Sequence, residues 1–98
     1  PDIYYRTDAQ GLVAIMSPAI YDFLGYRPEE LIGKQLSTLY VDPENRDRFL
    51  QRLKEEGGKL YGFENRLYRK DGDIVWGMAS SQYCFDEAGH FVGVEGIV

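Results

Sequence analysis

Apolar and polar residues alternate at the two ends of the chain and recur at helical spacing between them. Ile3 to Thr7 and Leu12 to Met16 read as short strands, joined by a turn at Asp8-Ala9-Gln10-Gly11. Ser17-Pro18 then has the form of a helix start: a serine cap followed by a proline that needs no N–H partner. Ile20, Phe23 and Leu24 share a face of that helix, and Gly25 closes it. Two further helical turns are predicted near Pro28 to Leu31 and near Lys34 to Tyr40, separated by Gly33. Asp42-Pro43 repeats the cap-then-proline signal. Phe49, Leu50 and Leu53 then stripe a helix that ends at Gly57-Gly58. From there the period returns to that of a strand. "YGFENRLYR", "DIVWGMASSQYCF" and "HFVGVEGIV" are three strands, punctuated by "KDG" and by Asp86-Glu87-Ala88-Gly89.

The 98 residues fit one domain. The net charge of −5 argues against a nucleic-acid surface and an anionic membrane surface. No apolar run approaches the roughly 20 residues that span a bilayer, so direct membrane insertion is not expected. Cys84 is the single cysteine, which excludes an internal disulfide and suits a reducing, cytoplasmic setting. The chain stops inside a strand pattern, "GVEGIV", which suggests a domain excised from a longer protein.

The chemistry-bearing candidates are few. Asp71-Gly72-Asp73 allows a metal loop, a phosphate cradle or a turn. Arg69 and Lys70 oppose a cation, and a strand rather than a helix follows the glycine, so a type I′ hairpin turn is favoured. Asp42, Glu44 and Arg46 have calcium-loop spacing, but an arginine stands where an oxygen ligand belongs. His90 is the only histidine and has no second ligand nearby. Cys84 reads as a small buried residue, and nothing orients it toward His90. Glu29 and Glu30 suit the first turn of a helix. No base stands beside a nucleophile, so a catalytic function is not expected.

The order of two strands, several helices and three strands resembles the PAS sensory domain. "GY-x-PEEL-IGK", Gly25 to Lys34, is the clearest signature of its first half. The Lys-Asp-Gly hairpin with Trp76 on the next strand is similar to the second half. The resemblance covers nearly the whole chain. It implies an α+β fold: a five-stranded antiparallel sheet of order 2-1-5-4-3, helices on one face, and a cavity between that holds a small ligand or nothing. It also implies a module of a bacterial-type signalling protein, such as a sensor histidine kinase of a two-component system, a cyclic-dinucleotide enzyme or a transcription regulator. The partners implied are a second copy, flanking helices and an output domain of the same chain. Flavin-photochemical and photoactive-yellow-protein-like members need a cysteine in the helical half, and no cysteine precedes Cys84. Haem-binding members use a helical histidine, and His90 lies in the last turn. Covalent flavin photochemistry and histidine-ligated haem are therefore disfavoured. A noncovalent small molecule remains open, with only Trp76 hinting at flavin.

Alternation assigns faces within that implied fold. Glu95 should point outward, which turns Val94 inward, and the small-residue phase of the preceding strand turns Ala79, Ser81 and Tyr83 inward. The expected pocket is lined by Ile15, Phe23, Leu36, Leu39, Phe49, Leu53, Phe63, Asn65, Leu67, Ala79, Ser81, Tyr83 and Val94. Asn65, Ser81 and Tyr83 are its polar contacts. The competing expectation is a closed, fully packed core. On the other sheet face Trp76, Met78, Phe91 and Ile97 should form an apolar interaction stripe, unless Arg66 and Gln82 cover it.

Overall fold

Residues 2–98 are described by a computed structural model. Five antiparallel strands form one sheet: β1 (Tyr4–Asp8), β2 (Val13–Met16), β3 (Lys59–Tyr68), β4 (Ile74–Phe85) and β5 (Phe91–Ile97), in the order β2-β1-β5-β4-β3. Between β2 and β3 run α1 (Ile20–Leu24), α2 (Pro28–Leu31), a 3-10 turn (Leu36–Leu39) and α3 (Asn45–Glu55). These cover one face. The β2 edge is closed by a bridge from Leu12 to Gln35, and one end of the β3 edge by a bridge from Tyr40 to Leu67.

The three hairpins share one turn geometry. In Asp8–Gly11, Arg69–Gly72 and Asp86–Gly89 the glycine N–H donates to the carbonyl three residues back. The glycine alone takes positive φ, at 85°, 95° and 84°. This is a type I turn closed by a left-handed glycine, not the type I′ turn expected at Asp71-Gly72, which needs positive φ at both central residues. Asp8 and Asp86 reinforce their turns by accepting two backbone N–H bonds each through Oδ1. The stretch "KDG" is therefore a turn, and its neighbours have a further task. Lys70 N–H donates to the Leu24 carbonyl, and the Arg69 guanidinium donates to the Phe23 carbonyl. The hairpin thus satisfies the open C-terminal end of α1, while Lys70 Nζ pairs with Glu30 on α2.

Two helix starts differ from the sequence expectation. The Ser17 hydroxyl accepts from the Tyr4 N–H, so it ties the end of β2 to β1 and does not cap α1. Asp42 is drawn into a two-oxygen contact with Arg66 Nη2 at 3.0 and 3.1 Å, and α3 begins after Glu44. In both cases a long-range partner outcompetes the local cap.

Each of three strand pairs carries one extra residue. Arg6 faces Ile15 while Thr7 faces Val13, so Ala14 is extra in β2. Leu60 faces Ser81 while Phe63 faces Ala79, which bulges β3 at Tyr61-Gly62. Cys84 faces Gly93 while Phe85 faces Phe91, so Val92 is extra in β5. A bulge shifts the phase of everything beyond it. Val13 and Met16 both turn inward across the first, and Leu60 and Phe63 across the second. Beneath the helices the core divides in two. Ile3, Tyr5, Met16, Ile20, Leu24 and Leu39 pack under α1 and the 3-10 turn, and Phe49, Leu53, Leu60 and Val94 pack under α3.

Candidate functional site

Between the sheet and its helical lid lies an apolar cavity of about 60 Å³. Phe23, Leu36, Leu39, Phe49, Phe63, Asn65, Leu67 and Ala79 line it, as the sequence predicts. Leu53 and Val94 do not reach it: they are consumed in the α3 cluster with Phe49 and Leu60. Ser81 is buried one step away, bonded to the Tyr5 hydroxyl at 2.7 Å. Tyr83 packs edge-on to Phe91 and Phe85 in a groove beside α3, and approaches so closely that a side chain at Gly58 would meet its ring at 2.6 Å. Ile15 is 43% exposed, because the extra residue Ala14 leaves it on the outer face. It is not a pocket residue.

Alternation along β1 and β2 supplies lining residues that sequence reasoning missed. Ile3, Tyr5 and Met16 belong to the cavity, with Ile20, Leu24, Tyr40, Gly77 and Val98. The inward phase of β1 follows from its register with β5, Tyr5 opposite Gly96 and Arg6 opposite Glu95, which the sequence does not carry. The phase of Met16 depends on the bulge.

The polar end of the cavity holds few groups. Burial pushes the Tyr5 phenol up to about 12, and the Ser81 contact opposes this only in part. Burial likewise raises Tyr40, with the nearby Arg46 guanidinium pulling the other way. Asn65 Oδ1 accepts from Asn45 Nδ2 at 2.8 Å. Both phenols are therefore protonated at neutral pH. The volume is far below the roughly 300–1,000 Å³ of a drug-sized ligand site. A flavin ring system does not fit these walls, and Trp76, 66% exposed on the opposite side of the sheet, is not positioned to stack on one inside.

On the outer face Trp76, Met78 and Ile97 are all exposed. Phe91 is a correction: the extra Val92 moves it to the helix side, where its ring lies 5.0 Å from that of Tyr83. Neither proposed polar cover is free to lie over the stripe, since Arg66 is held by Asp42 and Gln82 by Glu95. Glu95 also accepts from the Tyr4 hydroxyl, and these two hydrogen bonds hold its carboxyl below the usual range. Cys84 is buried, and burial raises its thiol. His90 is bound up with Asp86 in its own turn. Among the described residues no three His, Cys, Asp or Glu side chains are grouped to hold a metal. No helix among them is long and apolar enough to cross a membrane.

Comparison with known proteins agrees with this architecture. The PAS fold family model matches residues 13–98, and the chain belongs to that family. The crystal structure of a PAS domain from Colwellia psychrerythraea superposes with a TM-score of 0.84 at 28% identity, covering 98% of this chain and 82% of that one. A light-oxygen-voltage domain, from a study of a flavin analogue, has a TM-score of 0.79 at 20% identity over 98% of this chain and 74% of its own, which is a likeness of fold. Among curated proteins the bacterioopsin transcriptional activator of Halobacterium salinarum is 27% identical over 95 residues, 91% of this chain. A probable diguanylate cyclase of Escherichia coli is 36% identical over 63 residues, 61% of this chain. The chain spans only 14% and 6% of the lengths of those two relatives. It corresponds to a PAS module of the kind found in signalling proteins.

Proposed function

We propose that this module is a cytoplasmic sensor that does no chemistry of its own: occupation of the cavity by a small molecule shifts the population of lid and sheet arrangements, and an attached output domain reads the shift. The observation that carries this reading is where the cavity lies. Ile3 and Val98 both line it and exchange backbone hydrogen bonds, Ile3 N–H to Val98 O at 3.3 Å and Val98 N–H to Ile3 O at 2.9 Å. Through this wall, beside the β1–β5 pairing, a change in the cavity would pass into the sheet. The two curated relatives, a transcriptional activator and a probable diguanylate cyclase, illustrate the class of protein that would carry such a module. The outer stripe of Trp76, Met78 and Ile97 would seat a second copy or a flanking helix.

Melting temperature measured against a panel of small carboxylates, alcohols and aromatic metabolites tests the sensor reading, together with a native mass spectrum of the purified protein. A ligand-dependent upward shift supports it. A flat response to the whole panel favours the second reading, a ligand-free dimerisation domain, for which the small cavity and the exposed stripe speak.

A further inference from the structure

Gly77 is a glycine without a backbone reason. It sits mid-strand in β4, opposite Asn65 on β3, and its φ is not positive. Glycine weakens a strand relative to alanine, and in that setting it marks a place where something approaches the backbone closely. Sterics do not demand it either. A Cβ at Gly93 would collide with the Thr7 carbonyl oxygen at 1.9 Å, whereas one at Gly77 would meet only side-chain ends: Leu67 Cδ1 at 3.2 Å, Phe23 Cζ at 3.5 Å and Val98 Cγ1 at 3.5 Å. Those three residues and Gly77 itself all line the cavity. What the missing side chain leaves is space inside it.

The chemistry of that space is one-sided. No Lys, Arg, His, Asp or Glu lines it. Its polar groups are engaged within the chain: the Tyr5 hydroxyl meets Ser81 Oγ at 2.7 Å, and Asn65 Oδ1 accepts from Asn45 Nδ2 at 2.8 Å. The Tyr40 phenol has the Arg46 guanidinium beside it, a lining group of the groove next to α3 and not of the cavity. Thr7 Oγ1, the buried side-chain polar atom left without a partner among the described residues, is not in the cavity walls. A charged ligand would lose its hydration here and find no counter-ion. An apolar one gains by leaving water.

We propose that the cavity takes an uncharged, apolar molecule of about three non-hydrogen atoms, with Gly77 setting the size limit. The inference rests on the cavity being a ligand site and names the ligand's class. The volume of about 60 Å³ sets the scale, judged against the roughly 150 Å³ that holds benzene. Gly77→Ala would place a methyl group against Phe23 and Leu67, inside the space the ligand needs.

Cyclopropane and xenon as neutral probes, acetate and ethylammonium as charged probes of similar size, and benzene as an oversized one form the test, followed through the amide NMR signals of Leu67, Gly77 and Ala79. Cyclopropane is expected to bind saturably, and xenon to shift the same signals. Acetate and ethylammonium should bind at least about tenfold more weakly, and benzene should not enter. Gly77→Ala should keep the fold by circular dichroism while its affinity for cyclopropane falls about tenfold. Should the variant fail to fold, the comparison of probes on the unaltered protein decides. A charged probe that matches cyclopropane, benzene acting on the same signals, or undiminished cyclopropane affinity in folded Gly77→Ala overturns the inference and leaves the cavity reading standing. Silence of all five probes overturns the inference; only with a flat response to the wider metabolite panel does the sensor reading fall too.

Discussion

The Tyr5 hydroxyl meets Ser81 Oγ at 2.7 Å across β5, between strands that are not neighbours. The contact passes over Gly96, which pairs with both residues. A side chain at Gly96 would stand 2.4 Å from Ser81 Oγ, 2.8 Å from Tyr5 Cε1 and 2.8 Å from the Ser80 carbonyl oxygen. The glycine is what allows the phenol to lie flat against the sheet under the cavity. Tyr5→Phe strands the buried serine hydroxyl and is expected to cost about 1–2 kcal/mol in urea unfolding. Gly96→Ala should cost about 1–3 kcal/mol by overpacking and displace the Tyr5 ring. A Tyr5→Phe protein as stable as its parent would show that the contact contributes nothing.

The same phenol predicts an alkaline response. Its folded value is raised from 10.0 to about 12, so the unfolded chain gives up the proton first. The stabilisation is complete below pH 10 and is lost as pH rises toward 12. The slope is about 1.4 kcal/mol per pH unit for one such group. Unfolding free energies measured over roughly pH 9 to 12, where a raised tyrosine titrates, should fall less steeply in Tyr5→Phe than in the parent.

Gly93 is fixed by backbone. A Cβ there would lie 1.9 Å from the Thr7 carbonyl oxygen and 2.9 Å from its carbon. No side-chain rotation can relieve a clash with a paired strand, in contrast to Gly96, where two of the three neighbours are side chains. Gly93→Ala is expected to cost more than about 3 kcal/mol or to prevent folding. Circular dichroism and thermal melting decide it. A melting temperature close to the parent's would mean that β1 can move away from β5 cheaply.

The element order was readable because strand and helix periods differ and glycines mark the turns. Sheet order came from resemblance, since alternation says nothing about which strands pair. Faces were readable only as far as alternation ran unbroken. Trp76, Met78 and Ile97 lie within such stretches and point outward as expected. Ile15 and Phe91 lie on the far side of an extra residue, Ala14 or Val92, and each changed face. Ser17 and Asp42 misled for another reason. Their local capping chemistry is sound, but the Tyr4 N–H and the Arg66 guanidinium claim them from a distance. Lys70 was read as flanking charge, and its backbone bond to Leu24 depends on tertiary packing with no local signature.

That hairpin clamp should be measurable. Arg69→Met removes a charged donor from the Phe23 carbonyl and is expected to cost about 1 kcal/mol. Hydrogen exchange in α1 should speed up more than exchange in β1. The neighbouring Glu30–Lys70 pair adds a pH signature. Glu30 is held below its ordinary 4.5 by the Lys70 ammonium and by the Arg27 backbone N–H. Its contribution is present above 4.5 and fades as pH falls through the lowered value. Because the carboxylate is exposed, salt should shrink the effect. Glu30→Gln should flatten this acid limb; an unaltered limb would remove the pair from the account.

The outer stripe makes its prediction through association. Trp76 and Met78 are 66% and 59% exposed on β4, and Ile97 is 48% exposed on β5, where it pairs with Ser80. Ile15, turned outward by its bulge, adds an exposed apolar side chain on β2. Between them the polar group of Tyr4, Gln82 and Glu95 is satisfied within the chain, so it can be covered without stranding a carboxylate. Burying such a patch is favourable in proportion to the apolar area removed from water. Met78→Glu and Ile97→Glu should each weaken self-association in sedimentation velocity, and together should abolish it. Phe91→Glu, on the helix side of the sheet, should leave assembly unchanged. Dimerisation lost through Phe91→Glu but not through Met78→Glu would transfer the interface to the groove beside α3.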